Sequence, residues 1–185
     1  MQCVQAYADA GFSNIEVTMN TPDVANIISE CVQKYKGLLN VGAGTVCNND
    51  ELNKAIDAGA QFIVSPLTDV AMIESCVAME KPIFPGVFTP TEIYQAWSAG
   101  ARMVKLFPAG LLGPSYIKDV LAPLNDIEIM PTGGVSLENI SEYRKVGVRA
   151  FGMGSLLFNK DLINRGDWEG LKQHLIKVKE SVLLY

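Results

Sequence analysis

An α/β fold built on parallel strands is what this sequence predicts, and two observations predict it. Short β-branched or apolar runs recur along the chain, each followed by a Gly, Pro or Thr turn and then an amphipathic stretch. Helices so frequent imply parallel strands, because each crossover must carry the chain back to the same end of the sheet. A barrel or a doubly wound sheet follows. No linker, low-complexity tract or shift in composition divides the 185 residues, so a single domain over 1–185 is expected.

Taken in order, residues 1–10 (MQCVQAYADA) read as a helix with no strand ahead of it. Strands are expected at 14–19, 38–41, 61–64, 82–84, 102–107, 127–130 and 149–152, because these runs are apolar or β-branched and end in turn residues. Helical patterns fill 23–35, 50–58, 70–79 and 90–99, with Thr21-Pro22, Asn49, Thr68 and Thr89 as cap-like residues ahead of them. The dipeptides Ala10-Gly11, Ala58-Gly59 and Ala99-Gly100 fall where helices should end, which suits glycine in a left-handed residue after each. Seven strands are one fewer than a closed (β/α)8 barrel needs, and the first is the one missing.

Composition narrows the function. With 49% hydrophobic and 19% charged residues the chain is globular rather than disordered. Acidic side chains outnumber basic ones 20 to 15, which argues against a nucleic-acid partner, since phosphate tracking needs clustered Lys and Arg. No apolar run reaches the ~20 residues that span a bilayer, and the N-terminus lacks the pattern of a signal peptide, so no membrane partner and a cytoplasmic location are expected. Cys3, Cys31, Cys47 and Cys76 form no C-x-x-C pair and His174 stands alone, so reduced thiols, a solvent-facing histidine and no metal site are expected.

Chemistry is expected at the C-terminal ends of the strands, where loops converge. In Met103-Val104-Lys105-Leu106-Phe107, alternation that turns Val104 and Leu106 to the helices turns Lys105 inward with Met103 and Phe107. An inward ammonium is expensive unless paired or used, and desolvation frees its amine to attack a carbonyl. Glu16 shows the same signature, with Ile15 and Val17 outward and Thr18 beside it inward. It serves equally as a salt-bridge partner of Lys105 or as a proton carrier. The stretches Pro131-Thr132-Gly133-Gly134 and Gly152-Met153-Gly154-Ser155 resemble anion cradles, because glycines let backbone N–H groups approach phosphate oxygens. Val41-Gly42-Ala43-Gly44-Thr45-Val46 lacks the third glycine of a dinucleotide fingerprint, so Gly44 is expected to shape a strand-end turn and Thr45 to offer its hydroxyl and amide to a ligand. Pro85-Gly86 is expected to be another strand-end turn.

Ile15-Glu16-Val17-Thr18, the Gly42–Val46 stretch, Gly59-Ala60-Gln61-Phe62-Ile63-Val64-Ser65-Pro66, Pro85-Gly86, Val104-Lys105-Leu106-Phe107-Pro108-Ala109 and Pro131-Thr132-Gly133-Gly134 stand in a shared order. In that order the chain resembles the bacterial 2-keto-3-deoxy-6-phosphogluconate (KDPG) and 4-hydroxy-2-oxoglutarate (KHG) aldolases over nearly all of its length. The resemblance implies a class I aldolase on a TIM (β/α)8 barrel, independent of metal and cofactor and assembled as a homotrimer. Its substrate would be a 2-keto-3-deoxy-6-phospho sugar acid, cleaved to pyruvate and glyceraldehyde 3-phosphate. By the same resemblance Lys105 matches the Schiff-base lysine, Glu16 the general acid/base and Thr45 a ligand of the pyruvyl carboxylate. Pro85 and Phe107 match walls of the site, Thr132 a neighbour of the reacting carbons, and Gly133, Gly134 and Ser155 the phosphate site. Where many members carry an arginine for the substrate carboxylate this chain has Asn20, as does a branch acting on the galactonate epimer, which draws its arginine from the first strand. Two other readings stand beside the aldolase: a catalytically impaired phosphosugar-binding barrel that has lost its pyruvyl end with the first strand, and a different phosphate-binding barrel enzyme such as an isomerase.

Overall fold

The computed structural model describes residues 1–183. After helix α1 (Gln2–Asp9) strands and helices alternate: β1 (Asn14–Thr18), α2 (Val24–Lys34), β2 (Asn40–Gly44), α3 (Asn49–Asp57), β3 (Ile63–Val64), α4 (Val70–Ala78), β4 (Ile83–Phe84), β5 (Gly86–Val87) and α5 (Pro90–Ser98). Then come β6 (Met103–Leu106), α6 (Gly113–Leu121), β7 (Glu128–Pro131) and three helices, α7 (Ile140–Lys145), α8 (Lys160–Asn164) and α9 (Trp168–Leu183). All pairings are parallel and run in sequence order, β1-β2-β3-β4 and then β5-β6-β7. A doubly wound sheet reverses its strand order at a switch point, and here the order never reverses.

Three strands depart from expectation. The run at 82–84 does not end in a turn at Pro85-Gly86. Pro85, which has no N–H to give a ladder, separates β4 from β5, and Gly86 opens β5. The Pro85 carbonyl accepts the Lys105 N–H at 2.8 Å, tying the break to β6. A Cβ at Gly86 would lie 2.2 Å from the Pro66 carbonyl carbon, so only glycine lets the two segments pass. The second departure is 149–152, where a single bridge, Thr132 to Gly152, replaces a strand. Its one ladder bond runs from the Gly152 N–H to the Pro131 carbonyl at 3.0 Å. The stretch Val41–Gly44 is strand rather than turn, and the turn falls at Thr45.

The core lies between strands and helices. Val41, Ala43, Ile63, Val104 and Leu106 from the strands meet Ile28, Cys31, Leu52, Ile73, Ile93 and Ile117 from the helices, all essentially inaccessible to water. Each buried Val, Leu or Ile among them contributes about 1.5–3 kcal/mol by leaving water. Burial of Val104 and Leu106 on the helix side puts Lys105 on the opposite face, as alternation requires. Helix α1 packs on α9, joining the two ends of the chain, and the Tyr7 ring stacks with Phe12 and Phe158 at 4.5 and 5.7 Å. His174 of α9 is half-buried rather than solvent-facing, its Nε2 2.7 Å from the Leu156 carbonyl, because α9 turns this face toward the loop that follows Gly152.

Helices α2 to α5 start within one residue of the expected positions. Gly11, Gly59 and Gly100 adopt φ of 77, 91 and 103°, the left-handed residues expected after α1, α3 and α5. The caps of α3 and α4 are Asn48 and Asp69, each accepting an N–H three residues on, rather than Asn49 and Thr68. The Thr68 hydroxyl instead donates to the Gly86 carbonyl at 2.6 Å. Helix α2 is preceded by Asp23, in a left-handed conformation with no side-chain cap, rather than capped at Thr21-Pro22. The four cysteines are free, Cys31 and Cys76 buried and Cys3 and Cys47 half-buried.

Thr89 caps α5 as expected, in a reciprocal box: its hydroxyl accepts the Glu92 N–H, and the Glu92 carboxylate accepts the Thr89 and Phe88 N–H groups at 2.7 and 2.9 Å. Those backbone bonds hold the Glu92 carboxyl below its usual range. Thr89→Ala is expected to cost about 1 kcal/mol, measured by urea unfolding at pH 7. Because the folded-state value is depressed, the stability that Glu92 lends is full above the ordinary carboxylate range and is lost as pH falls through the depressed value. The stability difference between the parent and Glu92→Gln should therefore shrink on acidification; a gap that widens toward acid would contradict this.

Candidate active site

Parallel pairing brings the C-terminal ends of the strands to one end of the array, and the candidate residues lie there. Glu16 stands on β1 opposite Gly42, and Thr45 follows β2. Lys105 sits on β6 between Gly86 of β5 and Met130 of β7, and Phe107 follows it. Thr132, Gly133 and Gly134 follow β7, and Ser155 follows the bridge at Gly152. Pro85 is buried at the break between β4 and β5.

Lys105 is only 7% exposed. Its Nζ lies 4.9 Å from the centroid of the Phe107 ring, which is partly open to water. Burial pushes its pKa down, and the charges of Glu16 and Cys47 oppose that only in part. Glu16 carries the mirror-image perturbation, raised by burial and lowered less by Lys105. Water reaches the Glu16 side chain, yet protein surrounds it closely enough for desolvation to outweigh the nearby cation. Among the described residues neither the Lys105 ammonium nor the Glu16 carboxylate has a hydrogen-bond partner. The ion pairs found there are Lys145–Glu142 and Lys172–Glu169, so the simple salt bridge between Glu16 and Lys105 is not formed. A buried amine and a carboxyl pushed toward their neutral forms can serve as nucleophile and proton carrier.

Thr45 has φ of 58°, a left-handed conformation that costs a β-branched residue of order 1–3 kcal/mol. Its neighbours secure the turn: the Val46 N–H donates to the Val64 carbonyl, the Cys47 thiol to the Thr45 carbonyl at 3.5 Å, and the Cys47 N–H to Glu51 at 2.7 Å. Asn20 lies exposed in the turn after β1, one residue beyond Met19, whose N–H donates to the Gly44 carbonyl at 2.7 Å. The Asn20 and Thr45 turns are therefore adjacent.

The glycine cradle is built by close backbone packing. Gly133 and Gly134 adopt φ of 79 and 84°, open only to glycine at low cost. The Ala109 and Gly110 N–H groups donate to the Thr132 and Gly133 carbonyls at 2.9 and 2.8 Å, and a Cβ at Gly134 would stand 2.6 Å from the Gly110 Cα. Asn139 holds the far side, its amide donating to the Gly134 carbonyl and accepting from the Ser136 N–H. Among the described residues no protein acceptor faces the N–H groups of Gly133, Gly134 or Ser155. Thr132 packs its hydroxyl against Gly152, where a Cβ would come within 2.1 Å. Reading the sequence missed Gly110, Asn139, Cys47 and Glu51 as supports. Only the Pro-Ala-Gly after β6 carried a signal, a strand-end turn for close backbone approach.

Two shallow grooves elsewhere, between α2 and α3 and between α4 and α5, are lined by Asn26, Asp50, Asn53 and Lys54 and by Val70, Glu74 and Tyr94. Both lie in the helix layer, away from the strand ends. Among the described residues no three His, Cys, Asp or Glu side chains converge, and no helix is long and apolar enough to cross a membrane.

The family model described as KDPG and KHG aldolase matches residues 1–174. A probable 2-dehydro-3-deoxy-6-phosphogalactonate aldolase of Rhizobium meliloti is 39% identical over 165 residues, 89% of this chain and 77% of the relative. A 2-dehydro-3-deoxy-phosphogluconate aldolase of Pseudomonas aeruginosa is 36% identical over 88% of this chain and 74% of its own. Among solved structures, a native KDPGal structure superposes with a TM-score of 0.88 at 31% identity, covering 100% of this chain and 89% of that one. The KDPG aldolase of Legionella pneumophila, with pyruvate captured as a covalent carbinolamine, does so with a TM-score of 0.88 at 25% identity, covering 96% and 86%.

Lys105 supplies a test independent of activity. Its folded-state pKa lies below that of the unfolded chain, so at neutral pH the unfolded state holds its proton more readily and the buried charge opposes folding. Lys105→Met is expected to raise Tm at pH 7, with the gain fading as pH climbs toward the ordinary lysine value of about 10.4. A Tm that falls at pH 7 would mean that the ammonium is paired and stabilising.

Proposed function

This chain belongs to the KDPG and KHG aldolase family, and we propose that it is a class I aldolase in which Lys105 forms the imine and Glu16 carries the protons. The single observation that carries this reading is the buried Lys105, unpartnered within the described residues and with its pKa depressed, set among strand ends with a carboxyl near enough to perturb it. The in-order parallel strands fit a (β/α)8-type barrel short of one strand, with the reacting groups at its C-terminal mouth.

In the proposed reaction the neutral Lys105 amine adds to the C2 carbonyl of a 2-keto-3-deoxy-6-phospho sugar acid. The carbinolamine loses water to give a protonated imine, with Glu16 moving the proton that leaves with the hydroxyl. Glu16, now a carboxylate, takes the C4 hydroxyl proton as the C3–C4 bond breaks. Those bonding electrons flow into the imine to give an enamine, and glyceraldehyde 3-phosphate departs. The enamine carbon then takes that proton from Glu16, and water hydrolyses the imine to release pyruvate and restore the neutral amine and the protonated Glu16. An imine is itself the electron sink, so the scheme asks for no metal or cofactor.

Thr45 and Asn20 bind the pyruvyl carboxylate, Pro85 and Phe107 wall the pocket, and Thr132 stands beside the reacting carbons. Gly133, Gly134 and Ser155 hold the phosphate. Galactonate or gluconate stereochemistry at the cleaved bond is compatible with this set, as is the smaller KHG, which would give pyruvate and glyoxylate. The homotrimer belongs to the same proposal. The binding-only alternative draws no support from relatives named as aldolases.

Borohydride reduction in the presence of pyruvate is expected to leave a stable pyruvyl adduct on Lys105, located by peptide mass spectrometry, and Lys105→Ala should abolish both adduct and cleavage. An adduct on another lysine would overturn the assignment.

Phosphorylated substrate should be cleaved with kcat/KM at least about 10-fold above that for KHG, the worth of one charge-assisted hydrogen bond. Ser155→Ala should narrow that ratio. If KHG proves the better substrate and Ser155→Ala changes nothing, the cradle does not bind phosphate.

A further inference from the structure

We infer that Gly44 is a positioning residue for the Glu16 carboxyl: by carrying no Cβ it leaves the space in which that group stands. The inference rests on the reading of Glu16 as the proton carrier. Parallel pairing sets Thr18 of β1 opposite Gly44 of β2, and the bond from the Met19 N–H to the Gly44 carbonyl fixes the two strands at this end. A Cβ at Gly44 would lie 2.8 Å from both Cδ and Oε1 of Glu16 and 3.1 Å from Oε2. Atoms do not approach a Cβ so closely, so any side chain at 44 moves the carboxyl.

The backbone does not ask for glycine here. Gly44 is absent from the residues with positive φ, and it ends a regular strand that any L-residue could continue. Alternation puts Gly42 and Gly44 on one face of β2, with Val41 and Ala43 buried against the helices on the other. Both inner positions are kept empty for different neighbours. At Gly42 the space belongs to the Phe62 ring, 2.3–2.5 Å from a would-be Cβ, and at Gly44 to the Glu16 carboxyl. A packed ring between strands cannot give way cheaply. The Glu16 carboxyl is the free end of a flexible side chain with no protein hydrogen-bond partner among the described residues, and it can.

Stability and chemistry should therefore separate at this position. Gly44→Ala is expected to fold with nearly the parental Tm and to form the pyruvyl adduct on Lys105. Its kcat for cleavage should fall about 10²-fold, as small misplacements of a proton-transfer group do. The same substitution made on top of Glu16→Ala should lower kcat no further, because the group it displaces is gone. Equal losses in the two backgrounds would show that residue 44 acts through the backbone. A folded Gly44→Ala with full kcat beside a crippled Glu16→Ala would overturn the positioning role alone. Full kcat in Glu16→Ala would instead overturn the reading of Glu16 itself. If Gly44→Ala does not fold, the double variant should regain the fold, and failure there too would sink the inference.

Discussion

An ammonium group on the inner face of a parallel strand layer, with no hydrogen-bond or ion-pair partner among the described residues, can persist only if the surrounding backbone prevents its escape. Lys105 meets that condition because its main chain is gripped on both sides. Its N–H donates to the Pro85 carbonyl, the Phe107 N–H donates to the Val87 carbonyl at 3.1 Å, and the Thr132 N–H donates to the Leu106 carbonyl at 2.9 Å. Val104 and Leu106 are sealed among the helices, which fixes the parity of the strand. Slipping β6 by one residue would expose two core side chains and bury others, so the lysine is held inside by the hydrophobic effect acting on its neighbours.

That enforced burial shapes the groups around it. Desolvation moves Lys105 and Glu16 toward their neutral forms from opposite directions, and each weakens the other's shift without cancelling it. A tight ion pair would have locked both in their charged forms. The strained Thr45 turn is set beside them by bonds from Val46 and Cys47, so a left-handed β-branched residue stands at the same end of the strands as the perturbed amine and carboxyl.

Space is controlled as closely as charge. Gly42, Gly86, Gly134 and Gly152 each stand where a Cβ would strike a ring, a carbonyl, another glycine or the Thr132 hydroxyl. These contacts let strand ends and loops approach one another more closely than side chains permit. The N–H groups of Gly133 and Gly134 are left without a protein acceptor among the described residues, which suits the anion proposed for them.

The sequence by itself determined the alternation of strands and helices, the inward parity of Lys105 and Glu16, the left-handed glycines after α1, α3 and α5, and the family. Each of these depends on local periodicity, on turn chemistry or on motifs read in order, all of which are written in neighbouring residues. Only the tertiary structure decided that Pro85 breaks a strand in two, that 149–152 shrinks to a single bridge, that His174 turns inward, and that Glu16 and Lys105 perturb each other without pairing. It also decided what Gly44, Gly110 and Asn139 stand against. Such outcomes depend on which atoms from distant parts of the chain come within a few ångströms of one another, and no pattern of nearby residues encodes that distance.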